Sequence, residues 1–298
     1  MALIFVMVDG LGLAPAGPQN PVPESMPWLA RTLDAPLDPD LRAGTSTLFA
    51  APIDATLGVP GLPQSGSGHT AIYGGYNAAV ANGRHQPSYP TIAMREELRR
   101  RNLLSASQQQ GATVAWANAY LPGYTGAVER RQLRHTAGTW SALYAGLELR
   151  GLTDLLAGTA VSWDIDQSLA RTRPGCQVLA DIEAQKAGRR LADLAHEHAL
   201  VAFETYLPDL AGHKRVPFTP SAALRLVDGL IEGVVMAKRP EDTVVVTSDH
   251  GNVEDAGTRV HTRNPVPLIA LGPVAPVFAA VGTIDGVMAA ILEGLRRA

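Results

Sequence analysis

The stretch Thr243-Val244-Val245-Val246-Thr247-Ser248-Asp249-His250-Gly251-Asn252 decides the fold class. Its apolar residues run without polar alternation, the pattern of a strand buried on both faces of a parallel sheet. The run stops on an Asp-His pair followed by glycine. Two adjacent ligand-type side chains at a strand end have little packing purpose. Working outward, the same grammar recurs. Residues 3–8 are apolar and run into Asp9, and residues 199–205 lead through a short loop to Asp209 and His213. Residues 112–117 and 266–271 are further apolar runs of strand length. Between them lie helical patterns over 91–104, 179–198, 221–237 and 284–297. Strands alternating with helices predict an α/β fold, doubly wound, with helices on both faces of the sheet.

In such a sheet ligands bind outside the carboxyl ends of the strands. Asp9, Asp209, Asp249, His213 and His250 should therefore converge on one edge. A lone Asp after a strand usually caps a turn, and Asp-x-x-x-His spacing alone is weak. Together, however, the carboxylates would repel one another unless a cation neutralised them. Asp and His together are a usual donor set for zinc or manganese. The segment Pro63-Gln64-Ser65-Gly66-Ser67-Gly68-His69-Thr70 adds a hydroxyl on a small-residue turn. Read alone it is a flexible loop. Followed by a helix, its amides could cradle phosphate oxygens.

Composition narrows the classes. With 46% hydrophobic residues in 298, the chain can bury a large core or two domains. A net charge of −3 with no basic block argues against a nucleic-acid partner and gives no electrostatic reason for membrane binding. The single cysteine, Cys176, cannot form an internal disulfide, and a reducing, cytoplasmic setting is expected. The apolar N-terminus lacks a basic flank and reads as a buried strand rather than a leader. Residues 121–175 carry Pro, Gly and Arg and no convincing strand. They read as a small inserted cap, with residues 1–120 and 176–298 forming a discontinuous core; a surface excursion without catalytic role reads nearly as well.

Five segments in order resemble one family: Asp9-Gly10, Ser65-x-x-Gly68-His69, Asp209-x-x-Gly212-His213, Asp249-His250-Gly251-Asn252, and His261-Thr262-x-Asn264-Pro265-Val266-Pro267. They resemble the metalloenzyme core shared by cofactor-independent phosphoglycerate mutase, phosphopentomutase and alkaline phosphatase. That resemblance implies a three-layer sandwich with a mostly parallel central sheet. It implies two divalent metal ions, zinc or manganese and possibly magnesium. One would be held by Asp9, Ser65, Asp249 and His250, the other by Asp209, His213 and His261. Ser65 would be the nucleophile, forming a phosphoserine intermediate on a small phosphorylated substrate. His69 would orient the loop, and Asn252 and Asn264 would brace the ligands.

The chain also departs from the family. The mutases are far longer, with a large inserted domain rich in arginine, and Gln64 stands where they have Asn. A mutase must enclose its intermediate, so a short cap favours water as acceptor: a phosphatase or phosphodiesterase, with phosphomutase as the alternative. Arg84, His85, Arg131, Arg134, His135, Lys214 and Arg215 are cationic groups suited to phosphate, most of which should be solvated surface charges. Two other readings are weaker. A metal-free serine hydrolase lacks the Gly-x-Ser-x-Gly elbow, and a non-catalytic binding module would not need the full donor set. Gly10-x-Gly12 lacks the third glycine of a dinucleotide loop. The oligomeric state is left open by the sequence.

Overall fold

The computed structural model describes residues 1–297. Ala298, the last residue of the expected core, lies outside them. Seven strands form one sheet: β1 (Leu3–Val8), β2 (Ala43–Gly44), β3 (Leu48–Ile53), β4 (Val114–Trp116), β5 (Leu200–Thr205), β6 (Thr243–Thr247) and β7 (Val266–Leu271). Their spatial order is β2-β3-β7-β6-β1-β5-β4. The strands β6, β1, β5 and β4 are mutually parallel. On the other side β7 runs antiparallel to β6, β3 to β7 and β2 to β3, so the sheet is mixed. All five expected strands are present. The β2–β3 hairpin was not expected, and β7 is a strand whose direction the apolar run does not encode.

The two faces of β1 explain the three layers. Leu3, Phe5 and Met7 point into one core, with Val245, Leu200 and Leu268 and the helices Ser65–Gly74, Leu103–Gln109 and Val287–Arg296. Ile4, Val6 and Val8 point into the other, with Val244, Phe203 and the helices Ala184–Leu194 and Pro220–Ala237. Each residue of β1 is wholly buried, which is why this stretch shows no period-two alternation. Among the described residues no helix is long and apolar enough to cross a membrane.

The expected helix over 91–104 is two helices, Ile92–Arg100 and Leu103–Gln109. Asn102 makes the break: its Oδ1 accepts from the Leu104 and Ser105 amides, each at 3.0 Å, and so starts a new helix. The helix expected over 179–198 starts only at Ala184 and ends at Leu194.

Within 121–175 there are short helices at Tyr124–Glu129, Ala137–Tyr144 and Leu152–Ala157. Ala137 and Ala142 join the larger core. Leu155, Ala160 and Ala170 close a small cluster with Ala119, Cys176 and Leu179.

Candidate metal centre

The parallel register of β5, β1 and β6 sets three carboxyl ends side by side. Asp9 follows β1, and Asp249 and His250 follow β6 by two and three residues. Asp209 sits in the helix Leu207–Gly212 just after β5, with His213 as its C-cap. Gly10 lets these ends meet. It has φ +80°, and a Cβ there would lie 2.9 Å from the Asp209 Cα, which only glycine tolerates.

Two trios result. Asp9, Asp249 and His250 each offer a ligand atom within 4.8 Å of the others, as do Asp209, His213 and His261. In the first, His250 Nε2 lies 3.3 Å from Asp9 Oδ1 and 3.2 Å from Asp249 Oδ2. In the second, Asp209 Oδ1 lies 3.3 Å from His213 Nε2 and 3.4 Å from His261 Nε2. The trios adjoin, because the His250 and His261 rings stack with centroids 3.7 Å apart. Ser65, the first residue of its helix, places Oγ 3.0 Å from His250 Nε2.

The donor set fits a metal on three counts. First, each histidine has its Nδ1 at a backbone carbonyl: His213 at Arg259 (2.8 Å), His261 at Pro63 (2.8 Å) and His250 at Gly251 (3.3 Å). Donation there fixes the tautomer and turns each Nε2 lone pair inward. Second, Asp9 Oδ1 is buried and receives no hydrogen bond, a costly state for a carboxylate oxygen without a cation. Third, negative charge is crowded. Burial and then the Asp249 and Asp209 carboxylates push the Asp9 carboxyl well above its usual range. Burial lowers His250 to about 4. Burial works against the His261 imidazolium too, but Asp209 raises it to about 9.

A second layer holds the trios. Asn252 Nδ2 donates to Asp209 Oδ1 at 2.6 Å. His69 Nε2 stands 3.2 Å from Asp9 Oδ2 and 3.1 Å from Asp249 Oδ2. Glu254, which the sequence reading missed, is 1% exposed and ties three motifs together. Its carboxylate accepts from the amides of Gly12 (3.1 Å) and Asn252 (2.7 Å), from Asn264 Nδ2 (3.0 Å) and from the Thr262 hydroxyl. Glu204, at the end of β5, was missed as well. Two residues past Asn252, Glu254 carried a proximity signal; Glu204 carried none inside an apolar run.

The expected substrate contacts are scattered. Arg84, Arg131, Arg134, Lys214 and Arg215 are exposed, with Lys214 directly after His213. His85 is buried behind the Ser65–His69 segment, with Nδ1 3.5 Å from Ser67 Oγ and Nε2 3.3 Å from the Val59 carbonyl. His135 Nδ1 lies 2.8 Å from the Tyr124 hydroxyl. At the helix start, the Ser67 and Gly68 amides already donate to the Gln86 and Gln64 carbonyls. Of the four amides at this helix start, those of Ser65 and Gly66 have no backbone partner among the described residues.

A mixed seven-stranded sheet with helices on both faces and Asp/His trios at its carboxyl edge defines a metalloenzyme architecture. The chain belongs to the metalloenzyme superfamily, whose profile matches residues 1–296. It is 33% identical over 103 residues to a 2,3-bisphosphoglycerate-independent phosphoglycerate mutase of Thermomicrobium roseum, covering 32% of this chain and 20% of that one. It is 38% identical over 63 residues to a phosphopentomutase of Chromohalobacter salexigens, covering 21% and 15%. The match thus spans a fifth or less of these curated relatives. A cold-active alkaline phosphatase from a psychrophilic Shewanella sp. superposes with a TM-score of 0.57 at 14% identity, over 99% of this chain and 100% of that one. That likeness establishes the fold. The family implies divalent metal ions, and the two trios are groups that could hold them.

Proposed function

We propose that the chain transfers phosphoryl groups through Ser65, and that it most favourably hydrolyses a small phosphate ester. The observation carrying this reading is the placement of the Ser65 hydroxyl at a helix start, 3.0 Å from His250 Nε2, where the two trios adjoin. In this reading Asp9, Ser65, Asp249 and His250 hold one divalent ion, and Asp209, His213 and His261 hold the other. Nitrogen and oxygen donors together suit zinc or manganese better than magnesium. When bound, such a pair acidifies the serine hydroxyl and neutralises charge on the leaving oxygen.

The chain's own residues do the rest. Ser65 gives its proton to solvent water, and its oxygen bonds to phosphorus as the ester P–O bond breaks. The alcohol departs, taking a proton from water. The Ser65 and Gly66 amides are left to hold phosphate oxygens at the positive end of the helix. Water then attacks the phosphoserine, releasing inorganic phosphate and restoring Ser65. Residues 121–175 serve as a small cap over one side of the site. Arg84, His85, Arg134, His135 and Lys214 are the groups from which substrate contacts would come. A small phosphorylated substrate, a cytoplasmic setting and no nucleic-acid partner belong to the same reading.

A second reading keeps the site and returns the phosphoryl group to another hydroxyl of the same substrate. The relatives named as mutases favour it; the shortness of 121–175 favours water. A panel of phosphosugars and phosphoglycerates, followed for free phosphate and for isomerised product, separates the two. Phosphate release supports hydrolysis, and isomerisation without release overturns that preference.

A further inference from the structure

Behind the Asp9–Asp249 pair lies a buried carboxylate with no place in the scheme so far. Glu204 is 0% exposed. Its backbone is clamped by the Asn118 side chain, which accepts from the Glu204 amide at 2.9 Å and donates to its carbonyl at 2.7 Å. One carboxylate oxygen, Oε1, accepts from the Thr136 hydroxyl at 2.8 Å and from the Tyr206 hydroxyl. The other, Oε2, faces His69 Nδ1 at 3.8 Å, and the buried Tyr73 hydroxyl neighbours the same carboxylate. The far side of the same imidazole, Nε2, touches both Asp9 and Asp249. Tyr206 lies nearly parallel to this ring, with centroids 6.3 Å apart and an interplanar angle of 13°.

We infer that Glu204 is a positioning residue: it aims His69 so that Nε2 fixes the Asp9 and Asp249 carboxylates for one divalent ion. Thr136 extends this chain of contacts into residues 121–175. The inference rests on the reading that Asp9, Asp249 and His250 hold an ion. Three carboxylates around one imidazole have no packing purpose, and a carboxylate behind a histidine that contacts metal ligands orients them.

The test is calorimetric titration of Mn²⁺ into metal-free protein. Wild type should take two ions per chain, matching the two trios. Glu204→Gln should weaken one binding step by about 10- to 100-fold and leave the other unchanged. Repeating the titration in His213→Ala, which disables the second trio, assigns the weakened step to the Asp9–Asp249–His250 trio. The thermal midpoint of the metal-free protein should be nearly the same in Glu204→Gln and wild type. Thr136→Val keeps the carboxylate and should weaken the same step less, so the inference stays testable if Glu204→Gln folds poorly. Two unaltered steps in both variants would overturn the inference alone. So would a third ion in wild type that Glu204→Gln removes, since Glu204 would then be a ligand. A wild type that takes no Mn²⁺ would overturn both this inference and the two-ion reading.

Discussion

The Nε2 atoms of His213 and His261 face each other at 2.9 Å, both within 3.4 Å of Asp209 Oδ1, while each Nδ1 is engaged by a backbone carbonyl. Two imidazole lone pairs turned toward one carboxylate oxygen repel unless a proton or a cation lies between them. Replacing either ring by alanine should therefore remove one ion, and turnover should fall by more than the about 10- to 100-fold that loss of a mere supporting partner costs. Metal content and turnover measured on the same His261→Ala sample check this.

Glu254 is the buried group whose removal should spread furthest. Its four donors come from the segments after β1 and β6 and before β7. Glu254→Ala leaves two backbone amides and two side chains unsatisfied, a cost of about 3 kcal/mol or more. Urea denaturation should register the loss, and bound metal should fall with it.

Much of this site was legible in the sequence, for a physical reason. Strands buried on both faces must be apolar throughout, so the polar residues that end them, Asp9 and Asp249-His250, stand out. The site order followed from those ends. The β2–β3 hairpin did not stand out. Ala43–Gly44 is two residues long, and Leu48–Ile53 contains two alanines and Pro52 and is only partly buried. Glu204 and Glu254 were hidden because their role is to accept hydrogen bonds from residues distant in sequence, and no spacing encodes that. The scattered cationic residues were visible as types, yet their positions depend on loops.

Asp242 gives a pH signature away from the metal centre. Its buried carboxylate accepts from the Ala2 amide at 2.6 Å and from Arg239 Nε at 2.9 Å, anchoring the start of β1. Burial acts to raise its pKa, but the Arg239 contacts and the Ala2 amide outweigh it and hold the group below its ordinary range. A carboxyl depressed in the folded state adds stability that is complete above the unfolded value of about 4 and disappears as pH falls through the folded value. Asp242→Asn should cost about 1–2 kcal/mol at neutral pH, discounted for the partly exposed arginine. The difference should shrink toward zero as urea midpoints are followed down to strongly acid pH. A constant difference at all pH would contradict the assignment.

The helices Ala184–Leu194 and Pro220–Ala237 cross at Gly233, where a Cβ would lie 2.1 Å from the Gln185 carbonyl oxygen. Backbone cannot yield as a side chain does. Gly233→Ala should therefore destabilise by about 1–3 kcal/mol despite the better helix propensity of alanine. Thermal or urea unfolding reads this directly, with turnover of the folded fraction unchanged.

In the proposed reaction Ser65 accepts the phosphoryl group. The most direct measurement of this step is turnover of an aryl phosphate by Ser65→Ala, with bound metal determined on the same protein. The expected result is loss of turnover by roughly 10³-fold or more, the scale of removing a nucleophile, with metal still partly bound. Undiminished turnover by Ser65→Ala would contradict the account.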